Sequence, residues 1–523
     1  MIYQIKKVLQ RWQIFAILSA LALAFTACND EKVGANYSPY DPGQAVVIDD
    51  FTPESGGYQD QIIIKGKNFG NKKENVTLLI GGKKAVVVNV MWDKLYAFVP
   101  SGAFSGVIEL TVTDSEGKNA RTATASKTFA YERKTVVGTL CGYQNENDDQ
   151  GELWGSFDIC AGFNAEGCLA IDPLNPDLIY IAYDRGDGFI AQLDLAKREC
   201  RKLLDANKFQ TKRLRNIAFS NDGEYMFVST DRDDSGQKST SVWLLKRGSN
   251  GTFANSTPQV LVAYKQCNGV AVHPVNGEVY FNSYENGQVF RTDLQDYLDW
   301  QANPPIDLNT GNVISWTGYQ EDGAFRELFK IQDPSYEFQT TIHPSGNYAY
   351  LTVINRNYIL RSDYDWNKKE FTTPYVVAGL NSNQNDGTWE DAVGTNARLH
   401  RPYQGVFVKN QKYVEEGRDD VYDFYFCDCL NFCIRYITPD GIVRTYAGRA
   451  PSTNGNIWGT EDGDLRAQAR FRDVTGIAYS EKYETFYILD HNNRRIRTIG
   501  KENEETSTDI NLPAVDEEEN ENN

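Results

Sequence analysis

The chain has 523 residues, more than one ordinary domain holds, so it implies two to four folding units. Hydrophobic residues at 41% and aromatic residues at 12% supply sizeable cores and exclude a wholly disordered chain, while 30 Tyr and 26 Phe against 3 Met favour strands over helical bundles. A formal charge of −18 leaves no basic footprint for nucleic acid, and residues 501–523 place nine Asp/Glu against one Lys in an acidic disordered tail. At the other end, Lys6, Lys7 and Arg11 precede an apolar run from Trp12 to Ala27. This is the pattern of a secretory signal over 1–27, removed at Cys28. An uncharged run of 16 residues is short for a spanning helix, which needs about 20. Residues 28–44, polar with Gly and Pro, form a flexible tether.

The signal's ending, Phe25-Thr26-Ala27-Cys28, resembles a bacterial lipobox, with Phe where Leu is usual. The resemblance implies that Cys28 is lipidated and becomes the mature N-terminus. Asn29, Asp30 and Glu31 give an acidic start similar to the surface-export signal of Bacteroidota lipoproteins. That implies a protein anchored in the outer membrane by lipid, facing the cell exterior, and touching the membrane only through its anchor.

Residues 45–131 are short apolar runs separated by Gly, Asn or Pro turns, the rhythm of a small β-sandwich. The Phe51-Thr52-Pro53 turn, Gly56-Gly57, Gly66 to Gly70, Gly81-Gly82, Val99-Pro100 and Phe129-Ala130-Tyr131 fall in the order of the IPT/TIG immunoglobulin-like domains, which this stretch resembles. Such domains serve as spacers, binding modules or dimerisation units, so the resemblance implies fold without function.

Internal repeats dominate residues 132–500. Six segments, starting at Leu169, Ile217, Val270, Thr340, Gly405 and Ile477, share one layout of apolar strand, polar turn and second apolar strand, then a third strand. Units of this kind must stack into a β-propeller, here of six blades. In the last two, Asp428 to Asn431 leads to Ile434-Arg435, and Asp490 to Asn493 leads to Ile496-Arg497. With Ala378-Gly379 and Ala447-Gly448 upstream, these units resemble NHL repeats. The fold expected is therefore all-β, an IPT/TIG-like sandwich followed by an NHL-like propeller. The last unit lacks a fourth strand, and Thr135 to Thr139 supplies one from the N-terminal side, closing the ring.

Propeller topology puts the turns between strands two and three on one rim with the links between blades. That rim gathers Asp184, Arg185, Asp187, Asp231, Arg232, Asp233, Asp234, Glu285, Asn355 and His491. Three links carry a Trp, namely Trp154, Trp389 and Trp458, whose flat faces suit the apolar face of a sugar ring if they are exposed. The plainer reading is that each packs under its own loop. His273 and His343 stand in His-Pro turns on the opposite rim, where Asp172-Pro173 marks the same place, so they make turns. His400 and His491 are too few for a His-rich metal centre. An Asp-only Ca²⁺ site at Asp231, Asp233 and Asp234 competes with solvated turn carboxylates. Besides Cys28 there are eight cysteines, and at Cys427, Cys429 and Cys433 a disulfide or strand packing is expected over a metal.

The resemblance as a whole is to Bacteroidota surface lipoproteins that bind glycans beside outer-membrane transporters. It implies a non-catalytic accessory protein with a polysaccharide or oligosaccharide ligand, no resident cofactor, and a transporter complex as partner. A propeller lyase or hydrolase acting on a glycan or lactone, and a protein–protein scaffold, are the alternatives.

Overall fold

Apolar side chains alternate with polar ones along Gln61–Lys67, burying Ile62 and Ile64 on one face, and this pattern builds the first unit. The computed structural model describes residues 38–142, 152–184, 188–209, 213–231, 240–283, 287–316, 325–331 and 337–502. They divide into two units, one ending at Lys134 and including Glu502, the other running from Thr135 to Lys501. The predicted signal, Cys28 and most of the acidic tail lie outside the described residues.

The first unit packs two antiparallel sheets face to face. One orders its strands Val47–Thr52, Gln61–Lys67, Lys94–Phe98 and Val86–Met91; the other orders Lys83–Lys84, Val76–Ile80, Ile108–Val112 and Arg121–Thr124. Phe51, Ile62, Leu78, Leu95, Leu110 and Phe129 fill the space between them. Gly66 is required there, because a Cβ would meet the Val47 carbonyl oxygen at 1.9 Å.

The second unit is six antiparallel sheets in sequence, each of four main strands. Their first strands are Gly167–Ile171, Leu214–Phe219, Val270–Val272, Phe338–Ile342, Pro402–Lys409 and Val474–Ser480, at the six repeated segments. Each first strand lies against the next, and the sixth lies against the first, which closes a propeller around a central axis. Because every sheet is covered on both faces by its neighbours, second strands such as Leu178–Tyr183 and Tyr348–Val353 are buried at all six positions. This is why they read as unbroken apolar runs.

Closure follows the expected route. Thr135–Cys141 is the fourth strand of the sixth sheet, with Val136 opposite Gly500 and Val137 opposite Ile499. The strand Arg495–Lys501 runs one residue past the boundary expected at 500. Inside the ring, Gln404 ties three first strands together: its Oε1 accepts the N–H groups of Leu169 at 2.9 Å and Ile477 at 3.0 Å, and its Nε2 donates to the Leu169 carbonyl at 2.8 Å. The longest helix among the described residues departs from the repeat. The helix Leu294–Ala302 sits between the third and fourth strands of the third sheet, anchored by Trp300 and Trp316, whose Nε1 groups donate to the Ile314 and Leu261 carbonyls.

The repeated Asp-x2-Asn-x3-Arg spacing of the last two sheets is a buried lock. Arg497, with no exposure, donates from Nη1 to Asp490 Oδ2 at 2.9 Å and to the Arg470 carbonyl at 3.1 Å, and from Nη2 to the Glu461 carbonyl at 2.8 Å. Asn493 Nδ2 donates to the same Asp490 oxygen at 2.7 Å. Arg435, Asp428 and Asn431 repeat the arrangement one sheet earlier, with Nη1 to Asp428 at 2.9 Å. In both sheets a short 3₁₀ turn ends on a left-handed residue, Phe432 or Arg494. The fourth sheet keeps that turn, ending on Asn357, but register puts Val353 and Leu360 where the lock has its Asp and Arg.

Candidate ligand-binding mouth

The ends of the first strands and the turns after the second strands converge on one rim. Asp184 follows the second strand of the first sheet, and Asp231 follows that of the second. Arg213 and Arg215 stand at the start of Leu214–Phe219. Arg213 Nε donates to Asp184 Oδ1 at 2.7 Å, and Arg215 Nη1 donates to Asp184 Oδ2 and, at 3.4 Å, to Asp231 Oδ2. Arg215 Nη2 then reaches to 3.6 Å from Glu337 Oε1, which precedes the first strand of the fourth sheet. From the fifth sheet, Tyr403 donates its hydroxyl proton to Glu166 Oε2 and accepts from Arg401 Nη2 at 2.7 Å; Glu166 precedes the first sheet. His491 of the sixth sheet sits in the field of Glu166 and Asp473. Five of the six sheets thus contribute to one polar mouth.

Burial dominates the electrostatics here. It pushes the Asp231 carboxyl up to about 6 against the pull of Arg215 and Arg213. Burial also raises Asp184, but the two guanidiniums outweigh it and hold this carboxyl below the usual carboxylate range. His491 is lowered by burial, against Glu166 and Asp473, so its imidazole favours the neutral form. Arg215 stays charged, because Asp184, Glu337 and Asp231 overcome its desolvation. Among the described residues, Arg215 Nη2, Asp231 Oδ1, Arg401 Nε and His491 Nδ1 are buried without a hydrogen-bond partner. Unsatisfied buried polar atoms are costly, and Arg215 Nη2 keeps only its 3.6 Å ion pair with Glu337.

The predicted residues separate into groups. Asp184, Asp231 and His491 belong to the mouth. Asp231, only 1% exposed and ion-paired, is not the solvated turn carboxylate expected of it. Asn355 acts behind the mouth, its Oδ1 accepting the Glu337 N–H at 3.2 Å. Glu285, Arg185, Asp187, Arg232, Asp233 and Asp234 lie outside the described residues.

The three Trp do not meet at the mouth. Trp154 is half-buried in a local core, edge-on to Phe189 at 5.6 Å with Lys202 Nζ 5.7 Å from its ring, so the platform reading gives way to packing there. Trp389 and Trp458 are 38% and 39% exposed, yet each already carries a guanidinium on its ring, Arg449 at 4.5 Å and Arg472 at 4.9 Å. His273 and His343 act as turn-makers. The Nδ1 of His273 accepts from the Asn276 N–H at 3.1 Å, that of His343 from the Ser345 N–H at 3.1 Å, and Asp172 accepts from the Leu174 N–H at 2.9 Å in the same way.

All eight described cysteines are buried free thiols; Cys427 and Cys433 pack as strand residues and Cys429 opens the 3₁₀ turn between them, with no disulfide among the three. Among the described residues no cluster of His, Cys, Asp or Glu is arranged to hold a metal ion. Arg215, Arg213, Glu166, Glu337, Arg401 and Tyr403 are new to the site. Apart from Tyr403, their signal was charge at the leading edge of the first strands, two to four residues ahead of the apolar repeat.

Comparison with known proteins places both units. The IPT/TIG domain family matches residues 46–131. A solved Bacteroides thetaiotaomicron protein, provisionally described as a phosphatase, is 50% identical with a TM-score of 0.77, covering 89% of this chain and 99% of its own. An auxiliary nutrient binding protein from the same species is 37% identical with a TM-score of 0.74, covering 89% of this chain and 100% of its own. The chain belongs to their family. A third member, an auxiliary nutrient binding protein of Bacteroides ovatus, is 30% identical with a TM-score of 0.63 over 89% of this chain and 100% of its own. Among curated proteins none matches the sequence. Family membership spans the sandwich and the propeller together, so both units are shared features of these proteins.

Proposed function

We propose that the protein is a lipid-anchored receptor on the outer surface of the cell. It binds a nutrient, a polysaccharide or oligosaccharide, at the propeller mouth and passes it to an outer-membrane transporter complex without chemistry. Two relatives named as auxiliary nutrient binding proteins, at 37% and 30% identity over nearly their whole length, support the nutrient-binding role. The observation that carries the site is the convergence of donors and acceptors of both signs on one mouth, Arg213 and Arg215 with Asp184, Asp231 and Glu337, and Arg401 and Tyr403 with Glu166. A sugar hydroxyl both donates and accepts, so a polyol satisfies such a set where an ion of one sign does not. Lipid on Cys28 supplies the anchor in this reading. Among the described residues no helix is long and apolar enough to cross a membrane.

The relative at 50% identity gives phosphate-ester hydrolysis a second claim. The mouth argues against it, because Arg213 and Arg215 are already engaged by Asp184 and Asp231, and Glu166 and Glu337 add carboxylates that repel a phosphate dianion. The test is calorimetric titration of purified protein against a glycan panel, beside hydrolysis of p-nitrophenyl phosphate. Glycan binding that weakens at least tenfold in Glu337→Gln and Asp231→Asn supports the proposal. Turnover of the phosphate ester, or glycan binding untouched by both substitutions, overturns it.

A further inference from the structure

Three of the buried cysteines meet, and each arrives on a different element. Cys141 ends the ring-closing strand Thr135–Cys141, opposite Ile496 of the sixth sheet. Cys200 lies on the fourth strand of the first sheet, paired with Gly155. Cys160 belongs to the turn that follows Ser156, whose carbonyl accepts its backbone N–H at 3.0 Å, so the chain folds back onto the Gly155–Cys200 pair. All three share one apolar cluster with Phe157 and Phe163, and none is more than 4% exposed.

Within that cluster Cys160 is the hub. Its S–H donates to the Phe157 carbonyl at 3.7 Å, and its sulfur interacts with the thiols of both Cys141 and Cys200, each of which interacts chiefly with Cys160. Thiols that donate to a sulfur stabilise its thiolate, and the thiolate is the form that attacks a disulfide. Hydrogen bonds from Cys141 and Cys200 accordingly bring Cys160 below the ordinary thiol range. Burial and the contact with Cys160 raise Cys141, and the same two causes raise Cys200.

We propose that Cys160 is the centre of an oxidative cross-link, forming a disulfide with Cys141 or with Cys200, one partner at a time. The bond to Cys141 clasps the ring-closing strand to the link ahead of the first sheet. The bond to Cys200 clasps that link to the sheet's outer edge. The oxidant is an exogenous disulfide. The Cys160 thiolate attacks one sulfur of oxidised glutathione, forming a mixed disulfide and expelling one glutathione thiolate. The Cys141 or Cys200 thiol then loses its proton and attacks the Cys160 sulfur, expelling the second glutathione thiolate. Two protons from the protein end on two glutathione thiols, and the electron pair lost by the protein reduces the glutathione disulfide. Because all three sulfurs are buried in the finished fold, the bond forms as the ring closes.

The test is to unfold the full chain, refold it in a glutathione redox couple, alkylate it, and map non-reduced peptides by mass spectrometry. The peptide holding Cys160 is expected joined to that of Cys141 or of Cys200, with intact mass lower by about 2 Da for the bond formed. The oxidised chain is expected to melt at a higher temperature than the same chain treated with dithiothreitol. Cys141→Ser is expected to divert every bond to the Cys160–Cys200 pair, Cys200→Ser to divert every bond to Cys141–Cys160, and Cys160→Ser to remove both. Full alkylation of Cys160 in the refolded wild type overturns the proposal, as does the same bonded partner in Cys141→Ser and in Cys200→Ser. Should Cys160→Ser not refold, these last two variants still decide, because they predict different partners.

Discussion

The buried lock of the sixth sheet can be tested against a natural control within the same chain. Arg497→Leu leaves Asp490 ionised or forced to protonate at 0% exposure, with only Asn493 and the Arg472 N–H as partners, and strips the donors from the Arg470 and Glu461 carbonyls. Removing one partner of a buried pair costs about 3–5 kcal/mol. The Asp490→Val, Arg497→Leu double variant recreates the Val353 and Leu360 that the fourth sheet carries at these places. It removes the buried Asp490 charge and leaves the two carbonyls, Asp462 and the Arg472 N–H short of partners, a cost of about 1–3 kcal/mol for each buried group. Burial already lifts Asp490 to about 6 despite its Arg497 partner, so desolvation takes back much of what the pairing gives. The single variant is therefore expected to be the less stable of the two by about 2 kcal/mol, because it alone keeps an unpaired buried charge while the backbone and Asp462 losses are common to both. Hydrogen exchange of peptides from 474–501 in the full chain reads this out under the same conditions for all variants. If the double variant opens as readily as Arg497→Leu, the cost lies in lost backbone contacts, and the charge-pairing argument fails.

Three further outcomes follow from the same structure. Val137→Asp puts a charge at a position 1% exposed, opposite Ile499 in the closing strand, and is expected to lower the melting temperature of the whole propeller; an unchanged melt would remove the closing strand's role. Asp231 rises to about 6 from 3.8, so the fold favours its neutral form: that stability is fully present below 3.8 and is lost as pH rises through about 6. Asp231→Asn should remove a slope worth at most about 3 kcal/mol between pH 4 and 7, and denaturation curves for the two proteins that run parallel across that range would refute the shift. Trp389→Ala breaks the 2.9 Å bond from its Nε1 to Thr445 Oγ1 and the Arg449 stack, and should cost about 1 kcal/mol of stability in urea titration while leaving glycan affinity unchanged; a tenfold affinity loss would move the site to the links.

The sequence was legible where the repeat is physical. Second strands buried on both faces, turn-making residues at Asp172, His273 and His343, and the missing fourth strand of the last unit all leave periodic marks in the chain. The mouth was only half legible. Asp184, Asp231 and His491 stand directly after the second strands, where topology predicts a rim, but their partners Arg215, Glu337 and Arg401 come from strands far apart in sequence. Nothing in spacing announces that Arg215 of the second sheet faces Glu337 of the fourth; only ring closure brings them together. The Trp reading parted from the structure at Trp154, which packs into a local core, while Trp389 and Trp458 are exposed, because a residue type cannot reveal its own exposure. The helix Leu294–Ala302 was missed because its low amphipathicity buries only Tyr297 outright.

The mouth as ligand site is tested most directly by hydrogen exchange of the full chain with and without the best glycan from the titration panel. The account predicts new protection in peptides covering 213–216, 337–339 and 401–404, the segments that bring Arg215 to Glu337 and Arg401 into the field of Glu337. Protection confined to the links around Trp389 and Trp458, or to the sandwich strands between 47 and 124, would contradict it.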